Sequence, residues 1–330
     1  MNGVCFLHIG THKTGTSSLQ TLLQSNDQCL ERNGIFVPKS GRALPHSGHH
    51  NLAWELMGDS RFDSAFGSWR NFLDEVRSRN PPAICISSEE FEYLYRNPQA
   101  LRRIRQDLNS IGYQVSIIVY LRPQADYIES LYVELLKNGV YLPFREYLDK
   151  LLEAGMSAPN ELWMFSFDYN KLLDSFAEVF GTDRMLVRPY NANRRAKYLL
   201  KDFTSLISPG RAIRGLDFSA CRRRLNASLN FGQVMELALG NRRKHGEEDL
   251  EGNIPRGLFM RGRFDALDLR DLTTIDGRFW EANRILHEKY RVKIATMTFK
   301  RLLQELICSA GLNRGSIRRK NLVRRLATMP

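Results

Sequence analysis

The sequence predicts an α/β protein, a parallel β-sheet flanked by helices with a helical C-terminal part, and three observations carry this reading. Five compact apolar runs, Val4–Ile9, Ile35–Val37, Ala83–Ser87, Val115–Leu121 and Met185–Val187, have the continuous hydrophobicity of strands buried on both faces. Stretches with helical spacing lie between them, and strands that alternate with helices form parallel sheets with right-handed crossovers. The first run leads through a loop rich in Gly, Thr and Ser into a helix, which is where a phosphate-binding fold begins.

Val4–Ile9 stops at Gly10, and from Thr16 onward Leu19, Leu22 and Leu23 recur at helical spacing, so this region reads as strand, loop, helix. Helices are expected at about 51–57, 65–78 and 98–111, and Pro123 suits the first residue of a helix running to Lys137. Beyond Asn193 the strand signal fades, and amphipathic segments near 197–207, 230–244, 278–290 and 296–310 predict helices. The segment 245–276, rich in Gly, Arg and Asp, reads as a long loop or lid. The expected organisation is one domain over 1–330, with an α/β core at 1–192, a helical part at 193–312 and a basic tail at 313–330.

A chain of 330 residues, 43% of them hydrophobic, buries a sizeable core, which excludes a mainly disordered protein. Cysteines 5, 29, 85, 221 and 308 are odd in number and lack C-x-x-C spacing, so neither a disulfide framework nor a zinc site is expected. Met1–Gly10 has no basic segment ahead of its short apolar run, and no stretch reaches membrane-spanning length, so a cytoplasmic protein is expected. The net charge of +12 attracts anions. Its late clusters, Arg222–Arg224, Arg242–Lys244 and Arg314–Arg325, read as solvated faces, the last also as a contact for an anionic membrane surface. No nucleic-acid module is present and the aromatic residues are not interleaved with basic ones, so a nucleic-acid partner is not expected.

The segment Gly10 to Ser18, G-T-H-K-T-G-T-S-S, has the G-x-x-x-x-G spacing of a phosphate cradle. A nucleotide triphosphatase would continue with Lys and a hydroxyl residue after the second glycine, yet here Thr16 follows Gly15 and the lysine, Lys13, comes two residues earlier. The strand Val115–Leu121 is followed by Arg122, where a magnesium-binding aspartate would be needed. A kinase with an altered loop remains the alternative reading, on the glycine spacing alone.

Thr11, His12, Lys13, Thr14, Gly15, Thr16, Ser17 and Ser18 together resemble the 5′-phosphosulfate loop of sulfotransferases, P-K-x-G-T-[ST]-[ST], with His12 in place of the proline. The family's second signature, an arginine after a strand and a serine eight residues on, is matched by Arg122 and Ser130 in Y-L-R-P-Q-A-D-Y-I-E-S. Looser similarities to bacterial members are R188-P-Y190, D202-F203, N226-x-S228 and E281-A-N283 followed by Tyr290; the family's R-K-G element has only Arg256-Gly257 or Arg261-Gly262 as counterparts. The resemblance implies a P-loop-like sulfotransferase fold and the donor 3′-phosphoadenosine 5′-phosphosulfate (PAPS), leaving 3′-phosphoadenosine 5′-phosphate as product, with no metal required. It further implies a hydroxylated acceptor, such as an anionic glycan, a lipid-linked sugar or a small metabolite.

Lys13 is the expected stabiliser of charge on the leaving phosphate. For the base, His50 in H46-S-G-H49-H50 and Glu89 in S87-S-E89-E90-F91 are both candidates, because imidazole titrates near neutrality and strand ends face the crevice of such sheets. His46 and His49 stay open beside them.

Overall fold

The computed structural model describes residues 3–42, 47–140, 142–159, 163–190, 196–222, 231–244 and 266–298. Strand β1 (Gly3–His8) is followed by helices α1 (Thr16–Ser25) and α2 (Asp27–Arg32), strand β2 (Ile35–Phe36), and helices α3 (His50–Met57) and α4 (Trp69–Arg79). Strand β3 (Ala83–Ser87) runs into a 3-10 helix, Glu89–Arg96, and then α5 (Pro98–Ser110) and β4 (Tyr113–Leu121). Helices α6 (Gln124–Lys137) and α7 (Phe144–Ala154), the short antiparallel pair β5 (Met156–Ser157) and β6 (Phe165–Ser166), and α8 (Tyr169–Phe180) precede β7 (Met185–Pro189). The described remainder is helical: α9 (Ala196–Ile207), α10 (Phe231–Lys244) and α11 (Leu269–Tyr290).

The five long-range strands form one parallel sheet in the order β2-β3-β1-β4-β7, with β1 at the centre. Alternation along the strands sends side chains into two cores, one on each face. Cys5, Leu7 and Ile9 with Ile117, Val119 and Leu121 pack beneath α3, α4, α5 and α8, against Leu52, Phe72, Leu101 and Leu173. Phe6, Ile118 and Tyr120 pack on the other face against Leu19, Leu22 and Leu23 of α1 and Phe203 of α9. Each such aliphatic or Phe side chain, buried rather than exposed, contributes roughly 1.5–3 kcal/mol, which is why these strands read as mainly apolar runs.

All five expected strands form, and this sheet with helices on both faces is the α/β, P-loop-like class the sequence predicts. Several boundaries differ for local reasons. Pro123 stands just outside α6, its ψ of 132° extended, and Gln124 is the first helical residue. The expected helix at 65–78 begins only at Trp69, because Gly67 (φ +87°) breaks the chain and Ser68 caps the helix through a reciprocal box with Asn71.

The expected loop 245–276 is corrected at its end: Leu269 onward is helical, started by Asp268, whose carboxylate accepts from Asp271 N–H while the Asp271 carboxylate accepts from Asp268 N–H. Residues 245–265 of that segment, residues 299–310 of the last expected helix and the tail 313–330 lie outside the described residues. Among the described residues no helix is long and apolar enough to cross a membrane.

Candidate functional site: the loop after the central strand

Beyond β1 the chain stays zipped to β4 for one more turn of the ladder. Ile9 N–H donates to the Ile118 carbonyl (3.0 Å), Tyr120 N–H to Gly10 (2.8 Å), and Thr11 N–H to Tyr120 (3.2 Å). The loop then leaves the sheet with positive φ at Lys13 (61°) and Gly15 (83°) and enters α1. Thr14 Oγ1 braces the turn by donating to the Thr11 carbonyl at 2.5 Å. Gly15 occupies the N-cap of α1, so no side chain caps that helix. Among the described residues, the consecutive N–H groups of Lys13, Thr14, Gly15, Thr16 and Ser17 meet no acceptor. Five unmatched donors at a helix start form a concave nest for an anion. A Cβ on Gly15 would lie 2.6 Å from Leu199 and 3.4 Å from the Tyr190 ring, so glycine is required there by space as well as by φ.

Arg122 follows β4 and reaches back to the loop, where its Nη1 donates to the Lys13 carbonyl at 3.0 Å. It is 5% exposed, and its guanidinium stands 5.7 Å over the Tyr190 ring. Tyr169 Oη fixes the Arg122 backbone by donating to its carbonyl at 2.6 Å. Lys13 Nζ lies 2.8 Å from the Glu134 carboxylate on α6. Burial pushes that carboxyl up, but Lys13 outweighs it and holds Glu134 below the usual range. Ser130 stands one helical turn before Glu134, so it shares the face of α6 that meets the loop.

On the β3 side the loop is tied down by carboxylates. The His12 backbone N–H donates to Glu92 Oε2 (3.1 Å), and its Nδ1 lies 2.8 Å from Oε1 of the same residue. Its Nε2 lies 3.9 Å from Glu90, and Phe165 meets the ring edge-on. Burial disfavours a charged imidazole, yet Glu92 and Glu90 push His12 up to about 10. Burial also pushes the Glu92 carboxyl up, opposite in sense to an ion pair. Because both Glu92 oxygens take His12 N–H groups, we treat the pair as imidazolium and carboxylate. Despite burial, Glu90 is held down at about 2 by His12, Arg61 and Trp54. Arg61 bridges Asp59 (2.7 Å) and Glu90 (2.8 Å) and lies 4.9 Å over the Trp54 ring, whose Nε1 donates to Glu90 at 3.0 Å.

Both expected base candidates sit beside this network. Gly10 is packed so closely on Glu89 that a Cβ there would lie 3.2 Å from the Glu89 Cα. Gln20 Nε2 donates to Glu89 Oε2 at 2.6 Å. Burial raises the Glu89 carboxyl, but His50, His12 and Gln20 more than offset that and hold it below the usual range. His50, at the start of α3, has Nδ1 2.8 Å from Ser88 Oγ and stacks on Trp54 with centroids 5.9 Å apart. The N-cap of the 3-10 helix is Ser88, whose Oγ accepts from Glu90 N–H. His49 is a structural residue: its Nδ1 accepts from Ser87 N–H and its Nε2 donates to the Pro38 carbonyl, and burial holds it neutral, down to about 3. His46 lies outside the described residues.

The structure thus brings Lys13, Arg122 and the nest together on one flank, and His12, Glu89 and His50 on the other. Of the looser matches, Asp202 accepts from Tyr120 Oη at 2.7 Å and lies 3.8 Å from Arg188, and Asn283 bonds Gln124 at 2.9 Å, so these brace elements around the site. Asn226, Ser228, Arg256 and Arg261 lie outside the described residues. Sequence reasoning missed Gln20, Arg61, Glu92, Glu134 and the contact of Tyr190 with the loop. Each meets its partner across a long sequence separation, and only the acidic run Glu89, Glu90, Glu92 signalled that something cationic had to face it.

No family model matches the chain, and no curated protein matches it. Among solved structures it is similar to a sulfotransferase from Alicyclobacillus acidocaldarius, with 18% identity over 76% of this chain and 98% of that one and a TM-score of 0.41. It is also similar to a structure from the PezAT chromosomal toxin–antitoxin system of Streptococcus pneumoniae, with 11% identity over 74% and 87% of the two chains and a TM-score of 0.31. Likenesses this distant bear no weight in assigning an activity.

Proposed function

We propose that the protein transfers a sulfuryl group from PAPS to a hydroxyl of a carbohydrate, glycolipid or small-molecule acceptor. The observation that carries this reading is the row of unmatched N–H groups from Lys13 to Ser17, closed on the β4 side by Arg122. The nest suits the anionic 5′-phosphosulfate, and Arg122 with Ser130 suits a second, separate phosphate, the donor's 3′-phosphate, which ATP lacks. Lys13, exchanging Glu134 for the oxygen between sulfur and phosphorus, neutralises charge as that bond breaks. The proton of the acceptor hydroxyl passes to a base on the β3 flank, where His50 and Glu89 stand. The +12 charge of the chain favours approach of an anionic glycan or lipid-linked sugar, and the basic tail favours a peripheral membrane contact.

Thermal unfolding separates this from the kinase alternative. Stabilisation by 3′-phosphoadenosine 5′-phosphate but not by magnesium ATP is the expected outcome; the reverse overturns the proposal. Transfer of labelled sulfate from PAPS to a panel of hydroxylated acceptors then identifies the acceptor class.

A further inference from the structure

Lys13 belongs to the nest twice over: its N–H is the first of the unmatched row, and its ammonium lies 2.8 Å from Glu134 Oε2. Its backbone is pinned, because Arg122 Nη1 donates to the Lys13 carbonyl at 3.0 Å, so the ammonium moves by rotation about side-chain bonds alone. Among the described residues Glu134 is the one carboxylate paired with that ammonium. Glu134 itself is shared. Lys137, one turn further along α6, lies 3.8 Å from the same oxygen, so the carboxylate keeps a counter-charge when Lys13 departs. The Glu134 side chain is 37% exposed, and an ion pair this open to water is given up at little cost. The buried pair of His12 with Glu92, on the other flank, could not be opened in this way.

We propose that Glu134 is a placeholder anion: it holds the Lys13 ammonium until an incoming phosphate or phosphosulfate displaces it, and it recaptures Lys13 from the departing product, with Lys137 as its partner in the interval. Glu134 thus competes with the ligand for one cation and sets how tightly the nest retains an anion. The identity of that anion rests on the sulfuryl-transfer reading; the exchange itself does not. Under that reading Glu134 is a positioning residue that acts through Lys13 and loosens the hold on the bisphosphate product, whose 5′-phosphate meets the same ammonium. No covalent bond forms or breaks in the exchange; only the ion-pair partners change.

Calorimetric titration with pyrophosphate, which carries neither adenosine nor a 3′-phosphate, tests the exchange apart from the choice of donor. At low ionic strength, Glu134→Gln is expected to bind pyrophosphate about two- to fivefold more tightly than the unsubstituted protein, the size of a part-exposed ion pair. The gain is expected to vanish where there is no ammonium to release, so that Lys13→Ala and the double variant Lys13→Ala with Glu134→Gln bind alike. A gain of equal size in both backgrounds means that Glu134 acts on the anion through its field alone and overturns the proposal, as does a Glu134→Gln protein that binds pyrophosphate no more tightly. Should Glu134→Gln not fold, Glu134→Ala takes its place in the same cycle. A gain that depends on Lys13, beside equal affinities for 3′-phosphoadenosine 5′-phosphate and 5′-AMP, leaves the exchange standing and removes the sulfuryl donor.

Discussion

The two flanks of the Gly10–Ser18 loop are built on opposite electrostatic plans. Toward β4 the loop presents main-chain N–H groups that nothing in the described protein satisfies, and a single arginine closes the row. Toward β3 the donors and charges are already matched, His12 with Glu92 and Glu90, Arg61 with Asp59 and Glu90, Gln20 with Glu89. Unmatched donors make a place for an anion, whereas matched charges make a rigid wall that holds the loop and aims its neighbours. Position 12, which belongs to the loop by sequence, therefore belongs to the wall by contact.

The largest effect is expected where the wall is broken. Glu92→Gln leaves the buried His12 imidazolium with Glu90 as its remaining counter-charge, and removing one partner of a buried pair costs about 3–5 kcal/mol; urea unfolding measures it. The pH dependence follows the same pair. With His12 raised to about 10 in the folded protein, its stabilisation is complete below the ordinary histidine range and is lost as pH climbs from there through about 10. Glu90, held down at about 2, acts at the other end: its contribution is present above the ordinary carboxylate range and is lost as pH falls toward 2. Melting temperature against pH should therefore decline on the alkaline side in the unsubstituted protein and flatten there in His12→Asn.

Next in size is the nest side. Lys13→Ala is expected to raise the transfer barrier by about 2–4 kcal/mol, a loss of about 30- to 1000-fold in rate, with much less effect on unfolding because Glu134 is partly exposed to water. Rates with labelled PAPS beside a melting curve separate the two. The smallest effect is expected at Gly15, where alanine must adopt φ +83° and crowd Leu199, costing about 1–2 kcal/mol in stability. Its bisphosphate affinity should fall further than its stability if the N–H row is the ligand cradle.

The same contrast explains what was legible in the sequence. The sheet could be read because Val4–Ile9 and Val115–Leu121 are buried on both faces and so are apolar but for one buried polar residue each, His8 and Ser116. The nest could be read because its donors come from consecutive residues. The wall could not: His12 meets Glu92 from 80 positions away and Gln20 meets Glu89 from 69, and no local spacing encodes such pairs. Helix α7 escaped although Phe144, Tyr147, Leu148 and Leu151 follow the helical period, because the run is short and contains four charged residues among them. The start of α11 was hidden by Asp268 and Asp271, whose charges read as loop but serve as a capping box.

The most direct measurement is calorimetric titration with 3′-phosphoadenosine 5′-phosphate and with 5′-AMP, in the unsubstituted protein and in Arg122→Lys. The bisphosphate is expected to bind at least about tenfold more tightly than the monophosphate, from one charge-assisted contact, and Arg122→Lys to remove most of that difference. Equal affinity for the two nucleotides in the unsubstituted protein, or a difference that survives in Arg122→Lys, would contradict this expectation.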